Sequence, residues 1–286
     1  MEGLQRMLDS IDYMEQNLDN NLLIEDIAAV ACMSKFHFQR MFSMLTGYTV
    51  SEYIRNRRLT LAAQEVVNSK TKVIDVAMKY GYESPESFTK AFRRIHGISP
   101  SDAKKNSQTL KAYPRLSFQI QLKGDVEMDY RIVEKEAFNV VGKSIRTSTI
   151  GGENSRNIPA FWVESNQNGL SKELVKNCGP LGLIGVCMDF DKEQENLTYL
   201  ICAEKNISQL PEDWEERQIP SASWAVFPVQ GAMPAAIQKV WGRIYSEWFP
   251  ATGYEHAGGP EMEVYCSPTD PYSDDYYSEI WIPIKK

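Results

Sequence analysis

The side chains best equipped for chemistry in this 286-residue chain are cationic, and they are unevenly placed. Residues 34–111 hold 14 Lys and Arg against 6 Asp and Glu, whereas residues 113–286 hold 16 against 25, on a chain of net charge −7. A basic segment on an acidic chain offers a local contact for a polyanion, with a solvated charged face as the ordinary alternative. Other chemistries find little support. The five cysteines, Cys32, Cys178, Cys187, Cys202 and Cys266, form no C-x-x-C pair and are odd in number, which fits reduced thiols in a cytosolic protein. His37 and His96 are too isolated for a metal site, and a lone histidine on a helix reads as a polar contact or a solvent-facing residue. No nucleophile–base pair stands out, so the expectation is no enzyme, no catalytic or metal site and no cofactor. The first residues, MEGLQRMLDSIDYMEQ, carry acids and polar groups unlike a signal peptide, and no run of 18 apolar residues is present. A cytoplasmic protein without a membrane partner is expected.

The elements that must position these cations are short helices. Leu4, Met7, Leu8, Ile11, Met14 and Leu18 follow the i, i+3, i+4, i+7 spacing of one buried helical face. Ile24, Ile27, Ala28 and Ala31 form a second set that stops at Met33, and Ser34 is placed to cap a helix turning Phe38, Met41, Phe42 and Leu45 inward. Gly47 suits the left-handed exit of that helix, and a longer helix over 50–68 follows. The arrangement then repeats. Ile27-Ala28 corresponds to Val76-Ala77, and Ser34, Phe38, Phe42 and Gly47 correspond to Ser84, Phe88, Phe92 and Gly97. Each unit is a short helix, a tight turn near Cys32 or Gly81, and a second helix with a polar outer face. That is the layout of a helix-turn-helix, whose second helix enters the DNA major groove.

SKFHFQRMFSMLTG (34–47) and GYESPESFTKAFRRIHGISP (81–100) resemble the two recognition-helix motifs of the AraC/XylS regulators. The resemblance covers about residues 5–105 and implies two readers on successive major-groove faces of one double-stranded DNA site, joined by the helix of 50–68. On the first recognition helix it aligns Phe36, Gln39 and Arg40 with DNA-contacting positions, flanked by Lys35 and His37. Arg40 would then read guanine, Gln39 adenine, and Phe36 would pack on a thymine methyl. On the second, Glu86, Ser87, Thr89 and Lys90 are the outward positions, with Arg93 and Arg94 near the far end. Glu86 either accepts from cytosine or favours the helix N-terminus through the dipole. Arg55, Arg57 and Arg58 on the connecting helix are candidates for phosphate contact, with solvation as the alternative.

After a linker-like stretch, Phe118, Ile120 and Leu122 alternate as a strand does, and strand patterns recur at 137–146, 181–190, 197–204, 223–231, 261–266 and 279–284. Helical stretches near 157–168 and 234–248 interrupt them. The pattern indicates an α+β domain with a mostly antiparallel sheet, in which a strand–helix–strand–strand order occurs twice. GPLGLIG (179–185) reads as a turn leading into a strand rather than a nucleotide loop. MDYRIVEKEAFNVVGK (128–143), AAIQKVWGRIYSEWFPATGY (235–254) and SEIWIPIKK (278–286) resemble the GyrI-like effector-binding domain. That resemblance implies a cleft for apolar, often cationic small molecules, with an acidic residue of the last strand facing it. Here that residue is Glu279, with Phe161, Trp162, Trp224, Trp241, Tyr245 and Trp281 as candidate walls. The alternative is that these rings are ordinary core and Glu279 a solvent-facing strand residue.

The expected organisation is therefore an all-α double helix-turn-helix domain over residues 1–107, a linker and first strand over 108–124, and an α+β GyrI-like domain over 125–286. The expected function is transcription regulation through double-stranded DNA, answering to a small-molecule effector, with domain orientation or recruitment of RNA polymerase as the output. A hydrolase-like enzyme or a protein-interaction module in the second domain is the competing expectation.

Overall fold

Two serines, three glycines and one left-handed cysteine mark helix boundaries in the first part of the chain. The computed structural model describes residues 2–68, 71–105, 110–117, 127–148, 153–176, 179–191, 196–207, 209–265 and 270–286. The strand expected at Phe118, Ile120 and Leu122 lies outside them. The chain divides into two units, Met1–Leu122 and Lys123–Lys286.

The first unit is helical: α1 (Glu2–Gln16), α2 (Ile24–Val30), α3 (Lys35–Thr46), α4 (Val50–Asn68), α5 (Val73–Lys79), α6 (Pro85–His96) and α7 (Pro100–Lys105). The Ser34 and Ser84 side chains accept from the backbone N–H groups of His37 and Ser87, satisfying donors left open at the starts of α3 and α6. Gly47 and Gly97 end the same helices at φ 73° and 80°. Cys32 and Gly81 occupy equivalent places in the two turns, at φ 54° and 80°. A glycine adopts that conformation freely, whereas a side chain there costs about 1–2 kcal/mol. Thr49 and Glu52 form a reciprocal capping box at the start of α4, with both bonds at 3.1 Å.

Helix α4 serves two cores. Near its start Tyr53 meets Phe42, with ring centroids 5.8 Å apart, and farther along Leu59, Ala62, Ala63 and Val66 pack with Val76, Phe88 and Phe92. Residues 110–117, read above as linker, lie extended against this unit. Leu110 and Tyr113 join the second core, the Tyr113 N–H donates to Thr60 Oγ1 at 3.0 Å, and the Leu116 N–H donates to Tyr53 Oη at 3.3 Å.

The second unit comprises β1 (Arg131–Lys135), β2 (Phe138–Ser148), α8 (Asn154–Gln167), α9 (Leu170–Lys176), β3 (Leu183–Asp191), β4 (Asn196–Glu204), β5 (Glu215–Ile219), β6 (Ala222–Gln230) and α10 (Ala235–Arg243). A π turn over Ile244–Trp248 then leads into α11 (Phe249–Thr252), β7 (Glu255–His256), β8 (Glu261–Tyr265) and β9 (Tyr277–Lys285). The strands form one antiparallel sheet in the order β1-β6-β9-β8-β3-β4-β2-β5, with β7 beside β9. The doubled order expected from the sequence is present as β2-(α8, α9)-β3-β4 and β6-α10-β8-β9. Strands β1, β5 and β7 and helix α9 were not among the elements expected.

Only Glu136 and Ala137 separate β1 from β2, and only Pro220 and Ser221 separate β5 from β6, yet each pair lies near opposite ends of the sheet. Such a link spans roughly 10 Å. The sheet must therefore curl until its ends approach. Lys135 Nζ on β1 accordingly reaches Glu204 Oε1 on β4, at 3.4 Å. The inner face is buried by strand side chains, among them Ile184, Leu200, Trp224, Met262 and Trp281. Helices α8 and α9 cover the outer face over β2, β4 and β3, and α10 packs over β6 and β9. At the centre β3 pairs with β8, placing Gly185 opposite Glu263.

Candidate functional site

Two regions gather side chains with chemistry to offer, one in each unit. In the first unit α6 turns Phe88, Phe92 and Ile95 inward, which leaves Glu86, Ser87, Lys90, Arg93 and Arg94 exposed and Thr89 half-buried. Pro85, Glu86, Thr89, Lys90 and Arg93 line an open groove of about 420 Å³. Lys90, Arg93 and Arg94 form no ion pair among the described residues, so their charge is available to an anion. On α3, Phe36, Gln39 and Arg40 are half-buried. Lys35 is ion-paired with Glu25 of α2.

Several expectations for this unit require correction. His37 and His96 are not solvent-facing, being 3% and 5% exposed, and for His96 the polar-contact alternative holds. His96 Nε2 lies 3.2 Å from the Leu59 carbonyl, and burial holds its pKa below the ordinary histidine value despite that hydrogen bond. Arg57 and Arg58 are half-buried and already hydrogen-bonded within the unit. Arg57 donates to both Glu15 carboxylate oxygens and to the Tyr113 carbonyl, at 2.6–2.8 Å, while Arg58 donates to the Leu18 and Asn20 carbonyls. Helix spacing put them on a polar face, but that face meets α1 and the extended segment.

In the second unit the strand alternation of β8 directs Glu261, Glu263 and Tyr265 toward the helix-covered face and Met262 and Val264 toward the inner core. Glu263, half-buried, receives three hydrogen bonds. Trp241 Nε1 of α10 donates to Oε1 at 2.9 Å, while the hydroxyls of Tyr199 and Tyr265 donate to Oε2 at 3.1 and 2.9 Å. Trp162 Nε1 of α8 donates in turn to Tyr199 Oη at 2.8 Å, and its ring meets Tyr265 edge-on at 5.0 Å. Both phenols are held protonated, and so act as donors. Burial is the largest cause of the rise in each pKa, and the Glu263 charge adds to it. No basic side chain among the described residues pairs with Glu263. A carboxylate walled by aromatic rings, with no basic partner among the described residues, is chemically suited to an external cation, electrostatically and through the ring faces.

The seven candidates from the sequence fall into separate places. Trp162 and Trp241 stand at Glu263. Phe161 is core between α8 and the sheet. Tyr245 is fully buried and donates to Glu261 Oε1 at 2.9 Å, beside His256 Nε2 at 3.1 Å from the same oxygen. Trp224 and Trp281 pack edge-on in the inner core, at 6.2 Å. Glu279 is not the carboxylate of the Trp162–Trp241 cluster. It lies on the inner face, with Arg131 Nη2 at 2.8 Å from both oxygens and with Tyr277 Oη and Trp281 Nε1 donating at 2.8 and 2.9 Å. The sequence reading missed Glu263, Tyr199 and Tyr265. The signal lay in EMEVY, where acids alternate with apolar residues and so mark a polar lining on an otherwise buried face. Among the described residues no group of three or more His, Cys, Asp or Glu could hold a metal ion.

Comparison with known proteins assigns each unit separately. Residues 131–284 match the Cass2 family, described as integron-associated effector binding protein, and residues 27–106 match a helix-turn-helix domain family. The transposon Tn10 TetD protein of Escherichia coli is 42% identical over 98 residues, 34% of this chain and 71% of its own length. The regulatory protein SoxS of Salmonella typhimurium is 40% identical over 92 residues, 32% of this chain and 86% of its own. A solved structure of SAV2435 bound to tetraphenylphosphonium is 23% identical with a TM-score of 0.50, covering 55% of this chain and 94% of that one. At that identity the likeness speaks to the fold of the second unit.

Proposed function

Because the chain is an AraC-type DNA-binding transcription regulator that belongs, through its second unit, to the integron-associated effector-binding proteins, we propose that an apolar cation seated against Glu263 controls it. The observation that carries this reading is the Glu263 carboxylate, surrounded by Trp162, Tyr199, Trp241 and Tyr265 and without a basic partner among the described residues. A charge pair about 4 Å apart near a protein surface is worth on the order of 4 kcal/mol. Loss of the carboxylate charge should therefore be felt strongly. Calorimetric titration of the full chain with tetraphenylphosphonium is expected to show binding, and Glu263→Gln to weaken it by about tenfold or more. A wild-type protein that takes up neither this cation nor any of a panel of lipophilic cations would remove the effector from the account.

Arg40 and Gln39 of α3, with Phe36 beside them, read base edges, and Ser87, Thr89, Lys90, Arg93 and Arg94 of α6 contact a second major-groove face and its phosphates, with Lys35 and Glu86 at the margins. Arg40→Ala and Lys90→Ala are each expected to weaken binding to the DNA upstream of the protein's own gene by about tenfold. The Lys90 variant should also lower the salt dependence by about one ion. An unchanged affinity in both variants would remove these helices from the interface. The protein acts in the cytoplasm without cofactor or catalysis, and effector occupancy reaches transcription through unit orientation or recruitment of RNA polymerase.

A further inference from the structure

The two halves of the second unit approach Glu263 differently. Helices α8 and α10 hold equivalent places over the sheet, and each aims a tryptophan N–H toward the central carboxylate. Trp241 reaches Glu263 directly, whereas Trp162 reaches it only through the Tyr199 hydroxyl. That hydroxyl has room because of the residue facing Glu263 across the central strand pair, Gly185. A Cβ built on Gly185 would come within 2.2 Å of Tyr199 Oη, 2.9 Å of its Cζ and 3.4 Å of Trp162 Cζ2. The φ of Gly185 is not left-handed, so the backbone does not require glycine there. What requires it is the ring. Tyr199 is fully buried and cannot swing into solvent to make room.

We infer that Gly185 is a positioning residue of the cation site: its missing side chain seats the Tyr199 hydroxyl between Trp162 and Glu263 and thereby sets how that carboxylate is presented to a cation. This rests on the effector reading above. With Tyr199 seated, Oε2 of Glu263 has two phenol donors and Trp162 has an acceptor, so the indole stays against the wall. A methyl group at position 185 would lift the phenol from this seat, break both bonds of the relay and push the ring toward the space a cation must enter.

The test is a double-mutant cycle in the full chain: wild type, Gly185→Ala, Tyr199→Leu and the double variant, each titrated with tetraphenylphosphonium and each melted. Tyr199→Leu removes both atoms of that ring that a Cβ at position 185 would strike. Gly185→Ala is expected to weaken binding by about tenfold or more in the wild-type background and by less than about threefold in the Tyr199→Leu background, a coupling expected of residues in contact. The melting midpoints should show the same non-additivity. If Gly185→Ala fails to fold, the double variant should fold, which supports the seating equally. Equal losses in both backgrounds, an unchanged affinity in Gly185→Ala, or a double variant that also fails to fold would overturn it. A wild type that binds no cation would overturn the effector reading and the affinity half of this one, while the melting cycle still decides whether Gly185 seats Tyr199.

Discussion

Glu263 and Glu279 receive nearly the same kinds of donor, phenol hydroxyls and an indole N–H, and both lie on strands of the same sheet. They differ in what balances their charge. Arg131 sits on Glu279, its guanidinium also 5.9 Å from the Trp281 ring centre, so that carboxylate already holds a cation over an aromatic face. Glu263 holds none among the described residues. Glu279→Gln is therefore expected to leave tetraphenylphosphonium affinity unchanged while lowering stability by about 1–2 kcal/mol, discounted for the half-exposed Arg131 side chain. Titration and urea unfolding of that variant separate the two roles, and lost cation affinity with intact stability would reverse the assignment. In the sequence the two acids look alike, since each has a ring two positions away on a strand. Arg131 lies 148 residues from Glu279, and local pattern carries no record of that meeting.

Helix α4 shows how an element's polar face can be structural. Glu15 of α1 accepts from Arg57 and from the Tyr53 hydroxyl, and Arg57 also holds the Tyr113 carbonyl, so α1, α4 and the extended segment are tied at one point. Burial raises the Glu15 pKa, but hydrogen bonds from Arg57 and Tyr53 outweigh it and the carboxyl ends below its ordinary value. His96 is likewise lowered, chiefly by burial. In both cases the unfolded chain takes up the proton first as pH falls, so stability is full above the unfolded pKa and is lost on acidification. The loss should begin near the ordinary histidine value of about 6.5 and deepen through the carboxylate range. Urea unfolding across pH checks this. Glu15→Gln is expected to cost about 1.5–3 kcal/mol at neutral pH and to flatten the carboxylate part of the profile, leaving the histidine part. A variant as stable as wild type at pH 7 would show that the tie contributes little. The helices themselves were legible in advance because caps, left-handed glycines and apolar spacing are local. The role of Arg57 was not, because it depends on which face meets α1.

At the scale of the molecule, the units are packed separately, the first on two cores joined by α4, around Phe38 and Phe42 and around Phe88 and Phe92, and the second on the curled sheet. Calorimetry is therefore expected to resolve two transitions. A bound cation at about 100 times its Kd adds roughly 2.7 kcal/mol to the state that binds it, so tetraphenylphosphonium should raise one transition and leave the other in place. A uniform shift of both would contradict a site confined to the second unit. Local pattern was enough to read the helix-turn-helix repeat, the outward cations of α6 and the antiparallel strands with their doubled order, because these follow from interactions within a few residues or from period. Which acid lacks a basic partner among the described residues follows instead from packing in space. Strand alternation puts Glu279 on the inner face, and the pairing of β1 with β6 and of β6 with β9 brings Arg131 to it there. The pairing of β3 with β8 sets Glu263 opposite Gly185, where the space left by an absent side chain admits Tyr199. Charge balance and vacancy are properties of neighbours in space, and chain order does not record them.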